Sequence, residues 1–161
     1  MSEIAEAFGI TPRVIKFFRR EEAFGYMSNF SSHPVIIKDR SWPTTEHFYQ
    51  AMKFIDFGIQ ERVRNSGGPG ACAKMGRDRS LPMREDWDRI KDNVMRLAIL
   101  AKFTQHPHLK SGLLSTGDAI LIEDSPYDSY WGCGKDGTGK NMLGVTLMWA
   151  RDILQLTEYD S

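Results

Sequence analysis

Two cysteines, Cys72 and Cys133, stand in 161 residues. Neither has metal-ligand spacing to the four scattered histidines, so a disulfide scaffold and a structural zinc are both argued against. No apolar run reaches the ~18 residues a membrane span needs. The first ten residues, MSEIAEAFGI, are acidic and lack a basic stretch followed by an apolar core, which is not how a secretory signal reads. An intracellular, reduced setting, cytoplasmic by default, is expected. Net charge is also missing: 21 Lys plus Arg balance 21 Asp plus Glu. That gives no overall electrostatic footprint for nucleic acid, though a local basic patch remains compatible with it.

What is present suits a folded protein. Apolar residues make up 41% and charged residues 26%, ordinary for a globular chain long enough to bury a core. No internal repeat or linker interrupts it, so one domain is expected.

The most informative stretch is Trp42 to Phe54, WPTTEHFYQAMKF. Pro43 and the Thr44/Thr45 pair mark a helix start. Phe48, Ala51, Met52 and Ile55 recur at helical spacing and form an apolar face. Glu46, Tyr49, Gln50 and Lys53 recur on the opposite side. Glu46 falls in the first turn, where the helix dipole favours negative charge. Lys53 lies two turns on, roughly 10 Å along the axis, a separation that brackets a small polar ligand. A stripe with one acid and one base is most often a solvated face. Tyr49 and Trp42 beside the charges suit a groove better.

Around this helix, Val14–Phe18 reads as a strand, and Gly25 separates it from Tyr26–Phe30. Val35–Lys38 reads as another strand before the Asp39–Arg40 turn. Gly58 interrupts the helical pattern, which resumes briefly over Ile59–Asn65. Ser66–Gly70 is a loop. Pro69 starts a short helix carrying Ala71, Cys72 and Met75 and ending at Gly76. Ser80 is expected to cap the longest helix, whose core stripe is Trp87, Ile90, Val94, Leu97, Ala98 and Ala101. Pro107 ends it, and His108–Ser115 forms a shorter helix. Ala119–Glu123 reads as a buried strand. Asn141 caps a last helix with Leu143, Leu147, Ile153 and Leu154 as contacts. The fold class expected is α+β: a mostly helical single domain packed around a small β-sheet.

The loop between Asp124 and Lys140 is long for a compact domain, which points to function. It holds Tyr127, Asp128, Tyr130 and Trp131. Asp128 is either an acid tuned by desolvation or an ordinary Asx-turn residue. Residues 134–141, GKDGTGKN, approach a phosphate-binding P-loop, but Asn141 lacks the magnesium-holding hydroxyl and no strand precedes the run. Glycines before a helix N-terminus remain able to cradle a phosphate. Arg77, Arg79 and Arg84 offer further phosphate partners. Trp87 reads first as a core residue by its spacing.

Taken together, several motifs resemble the NADAR, or YbiA-like, family. They are SNF at Ser28–Phe30, WPTTEHFYQAMKF, AKMGR at Ala73–Arg77, the tryptophan of REDW at Trp87, AKF at Ala101–Phe103, DSYWG at Asp128–Gly132 and GKNMLG at Gly139–Gly144. They run in order over about residues 14–156, expected to be the domain, with residues 1–13 and 157–161 as tails. The resemblance implies hydrolysis of N-glycosidic bonds at a ribose C1′. No cofactor, metal, membrane or obligate protein partner is expected. Two substrate types go with it: ADP-ribose on guanine bases of nucleic acid, and phosphoribosylamino-pyrimidine intermediates of riboflavin synthesis. Glu46, Trp87 and Asp128 match the family's functional positions, and Lys53 matches the lysine of its Q-A-x-K-F segment. All four are expected to be catalytic. Asn29, Phe30, Trp42, Tyr49, Arg77, Trp131, Gly132, Gly139 and Asn141 are expected to bind substrate. A non-catalytic ADP-ribose or nucleotide module is the rival reading, and a structural interaction domain the third.

Overall fold

The computed structural model describes residues 11–159. The expected tails lie mostly outside them. Two compact units emerge among the described residues, one from residues 11–18 with 111–159 and the other from residues 19–110. The fold is α+β, but its strands form two separate pairs rather than one sheet.

The unit made from both ends of the chain is built on a parallel pair. Strand β1 (Val14–Phe17) lies beside β4 (Ile120–Glu123), with Val14 opposite Ile120 and Phe17 opposite Glu123. Ile15 and Phe17 point into the core, as alternation along a strand requires. The C-terminal helix, α6 (Met142–Tyr159), packs on β4. Its buried residues Leu143, Leu147, Ala150 and Leu154 follow helical spacing. Ile153, expected among them, is on the exposed flank.

In the other unit β2 (Val35–Ile37) and β3 (Arg40–Trp42) make a tight antiparallel hairpin. Lys38 and Asp39 turn it with φ of 53° and 60°. Helix α1 (Thr45–Ala51) follows directly, then α2 (Phe57–Arg64), α3 (Pro69–Gly76) and the long α4 (Trp87–Gln105). Helix α5 (Pro107–Leu114) leads back towards the first unit in sequence. Phe48, Ala51, Phe54, Val63, Cys72 and Ala98 share one hydrophobic cluster with Val35, Ile37 and Trp42.

Three expectations are corrected here. Ser80 caps no helix; the Asp78 carboxylate takes both its N–H (2.9 Å) and its hydroxyl (2.7 Å), and α4 begins at Trp87. Leu97 is 44% exposed, because α4 buries the face carrying Met95, Ile99, Lys102 and Phe103. Ile55 is 73% exposed, because α1 ends at Ala51 and the chain has left the helix before that position. The histidines are also less scattered than the sequence suggests: the rings of His33, His106 and His108 meet at centroid distances of 5.4 to 6.0 Å. Even so, no group of three or more His, Cys, Asp or Glu among the described residues is placed to hold a metal ion. No described helix is long and apolar enough to cross a membrane.

Candidate active site

Helix α1 is short, and every one of its seven residues is buried, the polar stripe included. It is therefore not a solvated face. Thr44 is the N-cap, its Oγ1 accepting the His47 N–H at 3.3 Å. The same hydroxyl meets His47 Nδ1 at 2.8 Å, while His47 Nε2 reaches the Gly67 carbonyl at 2.9 Å. Gly67 O only accepts, so Nε2 carries the proton.

Glu46 sits in the first turn of α1 and is 8% exposed. Gln50, one turn on, donates from Nε2 to Glu46 Oε1 at 2.7 Å. That contact fixes the carboxylate's rotamer. The Gln50 carboxamide is itself wedged against Gly76, where a Cβ would lie 2.7 Å from Gln50 Cδ. Among the described residues, Gln50 Oε1 has no hydrogen-bond partner. Gly76 closes α3, so a glycine is what lets α3 approach α1 at this point.

Lys53 lies past the end of α1, which corrects the expected placement two turns along the helix. Its Nζ donates to the Gly76 carbonyl at 3.3 Å. The ammonium also faces two rings, Tyr49 at 5.5 Å and Trp87 at 5.9 Å from their centroids. These rings meet edge-on, 5.1 Å apart. Aromatic faces attract a cation electrostatically, so the pair defines where the charge sits. Trp87 is the first residue of α4 and is buried, as its spacing suggested. The Lys53 carbonyl accepts from Arg84 N at 2.8 Å, tying the approach to α4 onto this corner. Cys72 on α3 belongs to the same electrostatic environment. Burial first, then the negative charge of Glu46, push its thiol up to about 12, with Lys53 opposing. It is no nucleophile at neutral pH.

The Ser28–Phe30 segment borders α1. Asn29 accepts from Glu46 N through its carbonyl (3.3 Å) and from Thr45 Oγ1 through Oδ1 (2.9 Å). Its Nδ2 points at the Met95 sulfur, 3.3 Å away. Phe30 is exposed beside it. Arg77 is the C-cap of α3 and is exposed. Trp42, expected to bind substrate, is 1% exposed, with Phe48 edge-on at 5.4 Å and the Arg40 guanidinium over its ring at 4.6 Å. Its place is in the core.

Asp128, Trp131, Gly132, Gly139 and Asn141 belong to the other unit. Asp128 Oδ1 accepts from Tyr130 N (2.9 Å) and Trp131 N (2.8 Å), an Asx turn. Gly132 and Gly139 permit close backbone crossing: a Cβ on Gly139 would sit 2.5 Å from Gly132 O. Asn141 does not cap α6 with its side chain. It bridges β4 instead, accepting from Glu123 N and donating to Leu121 O, both at 2.8 Å. The backbone N–H groups of residues 139 to 143 are all bonded to carbonyls of residues 129 to 133. The phosphate cradle expected before α6 is thus not built from those donors.

Of the expected residues, the structure brings together Glu46, Tyr49, Lys53 and Trp87, with Asn29 bonded to the first turn of α1. Sequence reasoning missed Gln50 as the partner of Glu46, although both lay on one stripe four residues apart. It also missed Lys102, whose signal was a lysine inside an otherwise apolar helix face.

A family model described as the NADAR domain matches residues 16–155. The chain is 43% identical over 143 residues to N-glycosidase YbiA of Escherichia coli (strain K12), covering 89% of each chain. It is 39% identical over 153 residues to a maize (Zea mays) protein named riboflavin biosynthesis protein PYRR, chloroplastic. That match covers 86% of this chain and 25% of the maize one. Among solved structures, the NMR structure of Escherichia coli YbiA aligns with a TM-score of 0.87 at 41% identity, covering 94% of this chain and 90% of that one.

Proposed function

The chain belongs to the NADAR family of N-glycosidases, and from that premise we propose that it cleaves a ribose C1′–N bond at the Glu46–Lys53–Trp87 cluster, releasing ADP-ribose from modified guanine in nucleic acid. It is a hydrolase of N-glycosidic bonds. The observation that carries the site assignment is the buried Glu46 carboxylate, with one oxygen held by Gln50 at 2.7 Å. Breaking a C1′–N bond develops positive charge on the ribose, as in glycoside hydrolysis. A carboxylate already fixed and shielded from water stabilises that charge without reorganising.

Lys53 supplies the nucleophile in this reading. The Lys53 ammonium first gives a proton to solvent; its free amine then attacks C1′, the C1′–N bond breaks, and the base leaves with the proton shed by the newly bonded lysine nitrogen. Opening of the C1′–O4′ bond then gives an imine between Lys53 and the sugar, which water hydrolyses. Trp87 and Tyr49 hold the lysine and offer faces to the base. Asp128 enters only through the family resemblance, as the group that orients ribose hydroxyls or protonates the leaving base. The working domain is placed at 14–156, and the reaction inside the cell.

A second reading has its own support. The maize relative's name ties it to riboflavin biosynthesis, which favours a phosphoribosylamino-pyrimidine as substrate. Purified protein would be given ADP-ribosylated guanosine in DNA and, separately, the pyrimidine, with released base followed by chromatography. Cleavage of the DNA adduct alone supports the first substrate; cleavage of the pyrimidine alone replaces it with the second. Borohydride added during turnover should trap sugar on the wild type and not on Lys53→Ala. Absence of an adduct on an active wild type assigns the attack to water. If neither substrate is cleaved but ADP-ribose binds equally to wild type and Glu46→Gln, the protein is a binding module.

A further inference from the structure

Lys102 is completely buried in the last turn of α4, with no solvent exposure. Its Nζ donates to the Ser28 carbonyl at 2.9 Å and to Ser31 Oγ at 2.6 Å, more than seventy residues away in sequence. Among the described residues it makes no ion pair. A lysine is rarely buried without a carboxylate, because desolvating the ammonium is costly. Here a short stretch of chain receives it instead, through one carbonyl and one hydroxyl. That stretch is Ser28–Ser31, and Asn29 within it accepts from both Glu46 N and Thr45 Oγ1. One chain of bonds therefore runs from α4, through the Asn29 segment, to the first turn of α1.

We infer that Lys102 is a positioning residue of the glycosidase site: by holding the Ser28 carbonyl and the Ser31 hydroxyl on either side of Asn29, it sets where the first turn of α1 carries the Glu46 carboxylate. This rests on the reading of Glu46 given above. Desolvation pulls the Lys102 pKa down to about 7, so its charge is lost within the working range of pH. The ammonium makes stronger bonds than the neutral amine, so the grip is firmest below that value. The titratable groups facing it are few. His33 Nδ1 meets Ser31 Oγ at 3.1 Å, with His106 and His108 around the His33 ring. Burial, then the charges of Lys102 and those two histidines, lower the pKa of His33. Tyr26 stacks edge-on against Phe103 at 6.3 Å, and burial raises its phenol pKa.

The test is Lys102→Met, which keeps the length and removes the donor, with Ser31→Ala as the gentler cut that leaves Ser28 O engaged. Both are assayed on whichever N-glycoside the wild type cleaves, after circular dichroism shows native helix content. The expected result is a fall in kcat of at least ~10-fold for Lys102→Met, with KM within threefold, since misplacement of a catalytic group acts on the transition state. Ser31→Ala should fall less. The kcat–pH profile of the wild type should carry a decline centred near 7 that Lys102→Met lacks. If Lys102→Met does not fold, Ser31→Ala decides by a fall in kcat and a lowered midpoint of that decline, because it removes one of the two oxygens that hold the ammonium. A folded variant with wild-type kcat and an unchanged pH profile overturns the inference while leaving Glu46 as the catalytic carboxylate. A wild type that cleaves neither substrate overturns the functional reading itself.

Discussion

Gly76 shows how much of this site depends on one missing atom. Its α-carbon is pressed against the Gln50 side chain, so that a Cβ would lie 2.7 Å from Gln50 Cδ and 3.2 Å from Gln50 Cβ. A carboxamide tip alone could swing aside, but a clash that also reaches its own Cβ pushes the whole side chain. The bond from Gln50 Nε2 to Glu46 would then be lost, and the Gly76 carbonyl that holds Lys53 would shift with it. Gly76→Ala should therefore lower kcat by ~10-fold or more through loss of positioning. Overpacking should cost about 1–3 kcal/mol of stability in urea unfolding. A folded Gly76→Ala enzyme with full activity would show that Gln50 does not hold the carboxylate in its productive place.

Among the elements, α1 is the one most legible in the sequence at its start and least legible at its end. Its start is written in Pro43, Thr44 and Thr45, and Thr44 caps it as expected. Thr44→Ala removes the acceptor for His47 N and the partner of the His47 ring. The expected cost is about 1–2 kcal/mol, at the upper end for a lost cap. Thr44→Ser, which keeps the hydroxyl, should retain most of the stability by urea titration. The end of α1 carries no glycine or proline, so nothing in the pattern stops it at Ala51. Lys53 and Ile55 therefore continue the helical spacing although the chain has already turned. Helix α4 hides its orientation for a different reason. Leu97 fits one apolar stripe and Met95, Ile99 and Phe103 fit another, and Lys102 argues against burying the second. Hydrophobicity alone cannot choose it, because Lys102 is accommodated by oxygens from residues 28 and 31. The resemblance to known motifs located Glu46, Lys53 and Trp87, whereas the Glu46–Gln50 and Lys102–Ser28 bonds needed the fold.

Over the whole molecule, charges balance at 21 of each sign, so its stability against pH is governed by particular buried groups rather than by net charge. His33 and His47 have pKa values lowered from 6.5, burial being the main cause. Depressed values mean the unfolded chain takes up protons first on acidification. Their stabilising contribution is complete above 6.5 and is lost as pH falls through the lowered values. Lys102 acts in the same direction over a higher window. Between about 7 and 10.5 the folded chain holds it neutral while the unfolded chain keeps it charged. The unfolded state then binds the extra proton, so stability rises with pH there and falls on return to 7. Above 9.0 the Cys72 thiol, raised to about 12 by burial, begins to oppose this, and above 10.0 so does Tyr26. The clean interval is pH 7 to 9, below the ordinary thiol value and above the histidines. Urea unfolding midpoints at fixed ionic strength should climb across that interval in the wild type and stay level in Lys102→Met. A wild-type midpoint that is flat from 7 to 9, or a climb that survives in the variant, would mean that Lys102 keeps its proton in the fold and that another group sets the slope.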